Sequence, residues 1–149
     1  MENHVIDIEL SKKLKELGVK QDSEFYWMKF KKDIPLYDRN GRDEDVISML
    51  PITKDRIAEC SAFMVTELIE MLPLNASMKE ISQATEIPIS PEQDSSHLLK
   101  INFQSNINND KRTYLVFVGG WKYFESNTLI DALAKALIYL IENNIWKPK

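Results

Sequence analysis

Cys60 and His97 are the residues here that could make a thiol–imidazole pair, the chemistry of a cysteine nucleophile activated by a neighbouring base. They lie far apart in the chain and no local motif flanks either one. Cys60 therefore reads as a small buried cysteine, and no catalytic residue is assigned. One cysteine and two histidines also leave too few soft ligands for a structural zinc site. Glu67 and Glu70 share one side of a helix and could meet a hard cation, but no Glu-x-x-His segments accompany them, so they read as a solvated face. Asp43-Glu44-Asp45 lacks the alternating oxygen ligands and closing glutamate of a calcium loop. Gly119-Gly120 runs into Trp121, and the pattern GxxxxGK[ST] is absent, so these glycines read as a turn or bulge and not as a phosphate cradle. The expectation is a protein with no metal, no cofactor and no enzymatic activity.

Two other stretches bear on binding. The segment SMKEISQATEIPIS, residues 77–90, has the look of the second helix and turn of a winged-helix DNA-binding domain. A recognition helix carrying Arg, Lys, Asn or Gln would have to follow. Pro91, Glu92, Gln93 and Asp94 follow, and the two acids repel phosphate. The aromatics Tyr26, Trp27, Trp121 and Tyr123 fall on short strands at both ends of the chain, and Trp and Tyr are favoured anchors at protein interfaces. Taken singly, each reads as a core residue; as a set they form the candidate protein-contact surface.

Positioning these residues falls to a few periodic elements. The segment TLIDALAKALIYLIENN places Leu129, Leu133, Leu137 and Leu140 with Ile130, Ala134, Ile138 and Ile141 at threes and fours, the pattern of a helix with a broad apolar face. Asp131, Lys135, Tyr139 and Glu142 make the polar stripe opposite. Thr128 is the expected cap, and Asn143 or Asn144 can end the helix in a left-handed conformation. At 1.5 Å per residue such a helix spans roughly 24 Å, enough to cross four or five strands.

Near the amino terminus Asp7 can cap a short helix carrying Leu10, Leu14 and Leu17, and Gly18 stands where it stops. Lys12, Lys13, Lys15 and Glu16 make its solvated side. SEFYWMKF, residues 23–30, reads as an aromatic strand. Asn40-Gly41 signals a hairpin turn, while 47–51 and 57–62 are apolar pieces with no assigned state. Val65, Leu68, Ile69 and Leu72 give a second short helix over 64–72, closed by Pro73. Residues 74–97 read as an exposed connection. LLKINFQ alternates like a strand with one wet face, and TYLVFV is apolar on both faces, as a central strand is. These two form an antiparallel hairpin, and WKYF supplies a further edge.

The chain has 149 residues, 44% hydrophobic, with a formal charge of −4 and a pI near 5.3. That length supports one domain over 1–149 with a core of its own. The acidic balance argues against a dedicated nucleic-acid binder, which needs a concentrated excess of Lys and Arg. No amino-terminal stretch is apolar and long enough for a signal peptide or a membrane span, so a cytoplasmic location is expected.

LSKKLKELGVKQDSEFYWMKF, ECSAFMVTELIEMLP and DALAKALIYLIENN together resemble a family of small uncharacterised proteins of phages, prophages and other mobile elements of bacteria. The resemblance covers both ends and the middle of the chain. It brings no established activity and no catalytic residues. Relatives often carry Ser or Thr where Met64 stands here, which leaves the cap of the short helix unidentified.

The expected architecture is a single α+β domain: a mainly antiparallel sheet of about four to five strands, with the long carboxy-terminal helix packed on one face and two short helices. The expected function is that of a phage or mobile-element accessory protein acting by protein–protein interaction. Its partner would be an unidentified protein of the bacterial host or phage, or a second copy in a homo-oligomer. The alternative is a nucleic-acid-associated regulator using the helix-turn-helix-like segment 77–90.

Overall fold

The computed structural model describes residues 4–30, 46–49, 56–74, 99–106, 111–119 and 122–148. Within them the fold is α+β, with two small antiparallel sheets and three helices, the longest at the carboxy terminus. The chain divides into two compact units, residues 1–64 and 65–149.

The first unit opens with helix α1, Ile8–Glu16. The Asp7 carboxylate accepts from the Glu9 amide at 2.9 Å, meeting one of the amides that a helix start leaves without a partner. At the other end Gly18 takes φ +82°, the Gly18 amide donates to the Lys15 carbonyl and the Val19 amide donates to the Leu14 carbonyl. This is a Schellman closure, and it buries Val19 and Leu14 together at the helix end. The inward face of α1 is centred on Leu14 and Ser11, both fully buried, with Leu10 and Leu17 only half-buried.

Strand β1, Phe25–Phe30, is the centre of the first sheet. It pairs antiparallel with β2, Val46–Met49, and with β3, Arg56–Ser61. These are the two apolar pieces whose state the sequence left open. The β1–β3 register shifts between Trp27, opposite Cys60, and Met28, opposite Ala58, so Glu59 is the extra residue of a β-bulge. The core of the unit contains Val5, Ile6, Leu14, Met28, Cys60, Ala62 and Phe63.

The second unit begins with α2, Val65–Met71, whose Leu68 is fully buried. Ile69, expected on the apolar face, is exposed. Strands β4, Leu99–Asn106, β5, Lys111–Val118, and β6, Lys122–Ser126, follow in sheet order β4-β5-β6. The β4–β5 hairpin sets Leu99, Ile101 and Phe103 opposite Val118, Val116 and Tyr114 in register, and the buried Leu99, Val116 and Val118 share one face. Helix α3, Leu129–Glu142, packs against β5 and β6 on that face, where the Phe124 and Tyr139 rings meet at 5.4 Å. Val116, Val118, Leu133, Leu137 and Leu140 make the buried seam.

Thr128 caps α3, its hydroxyl accepting from the Asp131 amide. Asn144 takes φ +55°, and the Asn144 and Ile145 amides donate to the Ile141 and Leu140 carbonyls, a second Schellman closure. Past it, the Trp146 indole N–H donates to the Met71 carbonyl at 2.8 Å, fixing the tail to the end of α2.

The single sheet of four to five strands is corrected by this topology. Apolar alternation marks strands without naming their partners, and β1 pairs with its own sequence neighbours while β4, β5 and β6 form a separate sheet. Accordingly, among the described residues, α3 covers strands of a three-stranded sheet. The Asn40-Gly41 turn, the 77–90 segment and most of the 74–97 connection lie outside the described residues.

Gly18→Ala tests the first closure. At Gly18 an added Cβ meets nothing within 4 Å, so the cost is that of the left-handed backbone alone. The expected destabilisation is about 1 kcal/mol in urea denaturation. Asn144→Gly, which relieves the same kind of strain at the other closure, is expected to be neutral or stabilising by a few tenths of a kcal/mol.

Candidate functional site

The four aromatics of the expected contact surface do not share one fate. Tyr26 and Trp27 are half-buried on β1. The Tyr26 hydroxyl donates to the Gln21 carbonyl at 3.3 Å and accepts weakly from the Ser23 amide. The Trp27 indole N–H donates to the Ile6 carbonyl at 3.2 Å. Both polar handles are thus engaged within the first unit. Trp121 lies outside the described residues. Tyr123, on β6 of the second unit, is 58% exposed, and its ring leans on Phe117 at 5.8 Å.

The β5–β6 register explains that pair, because Phe117 stands directly opposite Tyr123 on the sheet face away from α3. Phe117 was read only as part of a two-faced apolar strand. Once 122–126 is taken as the strand returning on 113–118, its place beside Tyr123 follows from the pairing.

The helix side of β6 carries positive charge. The Lys122 ammonium stands 5.7 Å from the Phe124 ring centroid and 5.9 Å from that of Tyr139, within cation–π range. The Lys135 ammonium donates to the Glu125 carbonyl at 2.9 Å. Lys122, Tyr123, Phe124, Glu125 and Lys135 line an open surface groove of about 560 Å³ along this edge. Neither lysine has a carboxylate partner among the described residues.

A second charged cluster sits at the bulge of the first sheet. The Glu59 carboxylate lies 3.7 Å from the Lys12 ammonium and 3.6 Å from that of Lys29, and the Glu59 carbonyl accepts from Lys15. Lys12 also reaches Glu9 at 3.4 Å. Lys12 and Lys15, expected on a solvated helix face, therefore tie α1 to β3. The arrangement is a fastening between three elements: the bulge turns Glu59 toward the helix, and the lysines neutralise its charge where its side chain is only 21% exposed.

Cys60 is buried in β3 and is not in a disulfide among the described residues, and His97 lies outside the described residues, as do Asp43-Glu44-Asp45 and Gly120. Glu67 is half-buried and Glu70 exposed, and no group of three or more His, Cys, Asp or Glu residues able to hold a metal occurs among the described residues. Gly119 takes φ +60° in the turn after β5. The Lys20–Asp22 contact at 2.7 Å raises the lysine pKa and lowers that of the aspartate, through their hydrogen bond first and their Coulomb attraction second. Both groups are fully exposed, so this shift marks a surface ion pair and not a tuned active-site group. No helix among the described residues is long and apolar enough to cross a membrane.

No protein-family model, no curated protein and no solved structure matches the chain. The β6 edge, with its exposed aromatic and its two lysines, is the candidate site.

Trp27→Phe keeps an aromatic ring but removes the donor and part of the indole's volume, leaving the Ile6 carbonyl without that hydrogen bond. Thermal or urea denaturation is expected to show a loss of about 1–2 kcal/mol, and Trp27→Ala a loss of about 3 kcal/mol or more. A Trp27 variant with unchanged stability would show that this hydrogen bond contributes nothing to the fold. Native Cys60 is expected to react with a thiol reagent on the order of a hundredfold more slowly than in denaturant, because the reagent must wait for local opening.

Proposed function

We propose that this protein acts by contact with another protein, as an accessory protein of a phage or mobile element, and contributes binding in place of chemistry. The observation that carries the reading is Tyr123, a large aromatic standing 58% exposed on an edge strand with Phe117 supporting its ring. Tyrosine loses little conformational entropy on docking and offers both an apolar face and a hydroxyl, which is why it recurs among the anchors of protein interfaces. Its hydroxyl has no hydrogen bond among the described residues, whereas that of Tyr26 is committed to the fold. Of the four aromatics first singled out, Tyr123 is therefore the residue on which contact is proposed to centre.

The partner is proposed to be a protein of the bacterial host or of the phage. An acidic chain with net charge −4 is poorly matched to a nucleic-acid backbone.

Affinity capture from host lysate with native and Tyr123→Ala protein tests this reading. The variant is expected to keep its melting temperature within about 2 °C, as surface substitutions do, and to lose the captured partner. Undiminished capture by Tyr123→Ala, or recovery of nuclease-sensitive material alone, would remove the proposal.

A further inference from the structure

The outer edge of β6 combines features that specify more than a generic contact. Among the described residues β6 pairs only with β5, and no other described strand engages the second side of its backbone. Such an edge is a template for a further strand unless something blunts it. Here a side chain meets part of it: the Lys135 ammonium donates to the Glu125 carbonyl. A lysine end can leave that carbonyl with little loss when a strand amide replaces it, because the chain is flexible and its charge stays at the surface.

The side chains around the edge are sorted by face. Lys122 and Phe124 point to the α3 side, where Lys135 also stands, while Tyr123 and Glu125 point away from it. Lys122 rests over the Phe124 and Tyr139 rings, not on a carboxylate. A strand laid along β6 would therefore present alternate side chains to two different environments. Those on the α3 side meet two ammonium groups that have no anionic partner among the described residues, and those on the other side meet the Tyr123 ring.

We infer that the outer edge of β6 takes an extended acidic segment of a partner protein as an added strand, with carboxylates at alternate positions facing Lys122 and Lys135 and apolar side chains between them facing Tyr123. This rests on the protein-contact reading above and gives it a partner chemistry. Backbone hydrogen bonds supply the attachment in this mode of recognition, and alternate side chains supply the selection. The charge of the groove selects against a basic segment, and the alternation selects against a helix.

The test uses the full ¹⁵N-labelled chain and a capped eight-residue peptide alternating Glu with Val. Addition of this peptide is expected to shift the amides of residues 122–126 and slow their hydrogen exchange. The Lys122→Gln/Lys135→Gln double variant should weaken binding several-fold, up to about tenfold, the range for two surface ion pairs. Lys122→Gln alone, whose side chain makes no hydrogen bond in the fold, should give a smaller loss and covers the case of a double variant that fails to fold. A matching Lys–Val peptide, and a Glu–Val peptide N-methylated at every second residue, should each bind more weakly than the parent.

Unshifted amides at 122–126 would overturn the inference, as would equal binding by the Lys–Val peptide, the N-methylated peptide or an eight-nucleotide oligothymidylate. Shifts at 122–126 that grow with protein concentration alone would assign the edge to a second copy and overturn it too. If the peptide arms fail while Tyr123→Ala still loses its captured protein, the protein-contact reading stands and strand addition falls. If the peptide binds at β6 but capture is indifferent to Tyr123, strand addition stands and the Tyr123-centred reading falls.

Discussion

Both backbone groups of Ile6 are engaged inside the first unit, and that unit closes around them. The Ile6 amide donates to the Phe63 carbonyl, and the Ile6 carbonyl accepts from the Trp27 indole. Ile6 and Phe63 are almost wholly removed from solvent, where an unmet amide or carbonyl costs more than a typical hydrogen bond returns. The bridge between Val5 and Met64 lies beside them. From this knot the chain can go only into α1, which Asp7 starts and Gly18 ends, and then into the central strand that supplies Trp27. The Gln21 side chain, accepting from the Ser61 amide and donating to the Val19 carbonyl, fixes the connection between those elements in the same way.

The second unit meets the same constraint with different residues. Its buried helix α3 ends at Asn144, a non-glycine in the left-handed region, which asparagine tolerates better than other side chains. That closure lets Ile145 fold back into the core and directs Trp146 to the Met71 carbonyl. The short helix α2, too short to be stable alone, is held by its packing on α3 and by this indole.

How much of this was legible follows from the range over which each signal acts. Caps and closures are local: Thr128, Asp7, Gly18 and the Asn143-Asn144 end could all be read because each is decided by a few neighbouring residues. The β4–β5 hairpin was legible because an alternating strand and a fully apolar one stand close together in the sequence. Strand partnership beyond a hairpin was not, and so β1 was placed in the wrong sheet. Ser11 was missed as an inward residue, since a serine facing a sheet breaks the apolar pattern from which helix faces are inferred. The Lys12, Lys15 and Lys29 contacts to Glu59 depend on a bulge, and one extra residue in β3 leaves no mark in composition or periodicity.

The candidate site was legible only in part, for a related reason. Trp27 and Tyr123 look alike as strand aromatics until their polar atoms are followed: one donor is spent on the Ile6 carbonyl, whereas the other ring stands on Phe117 and its hydroxyl makes no hydrogen bond among the described residues. Position in the sheet makes the difference. A central strand such as β1 has neighbours on both sides and draws its large side chains into the unit's own hydrogen bonds. An edge strand keeps one side of its backbone and much of its side-chain surface for what comes next. Natural edges are guarded by charge, and β6 has Lys122 and Lys135 on one flank and Glu125 on the other. Lysines with no carboxylate partner among the described residues would make such guarding selective, disfavouring basic strands more than acidic ones, which is the basis of the partner chemistry inferred above.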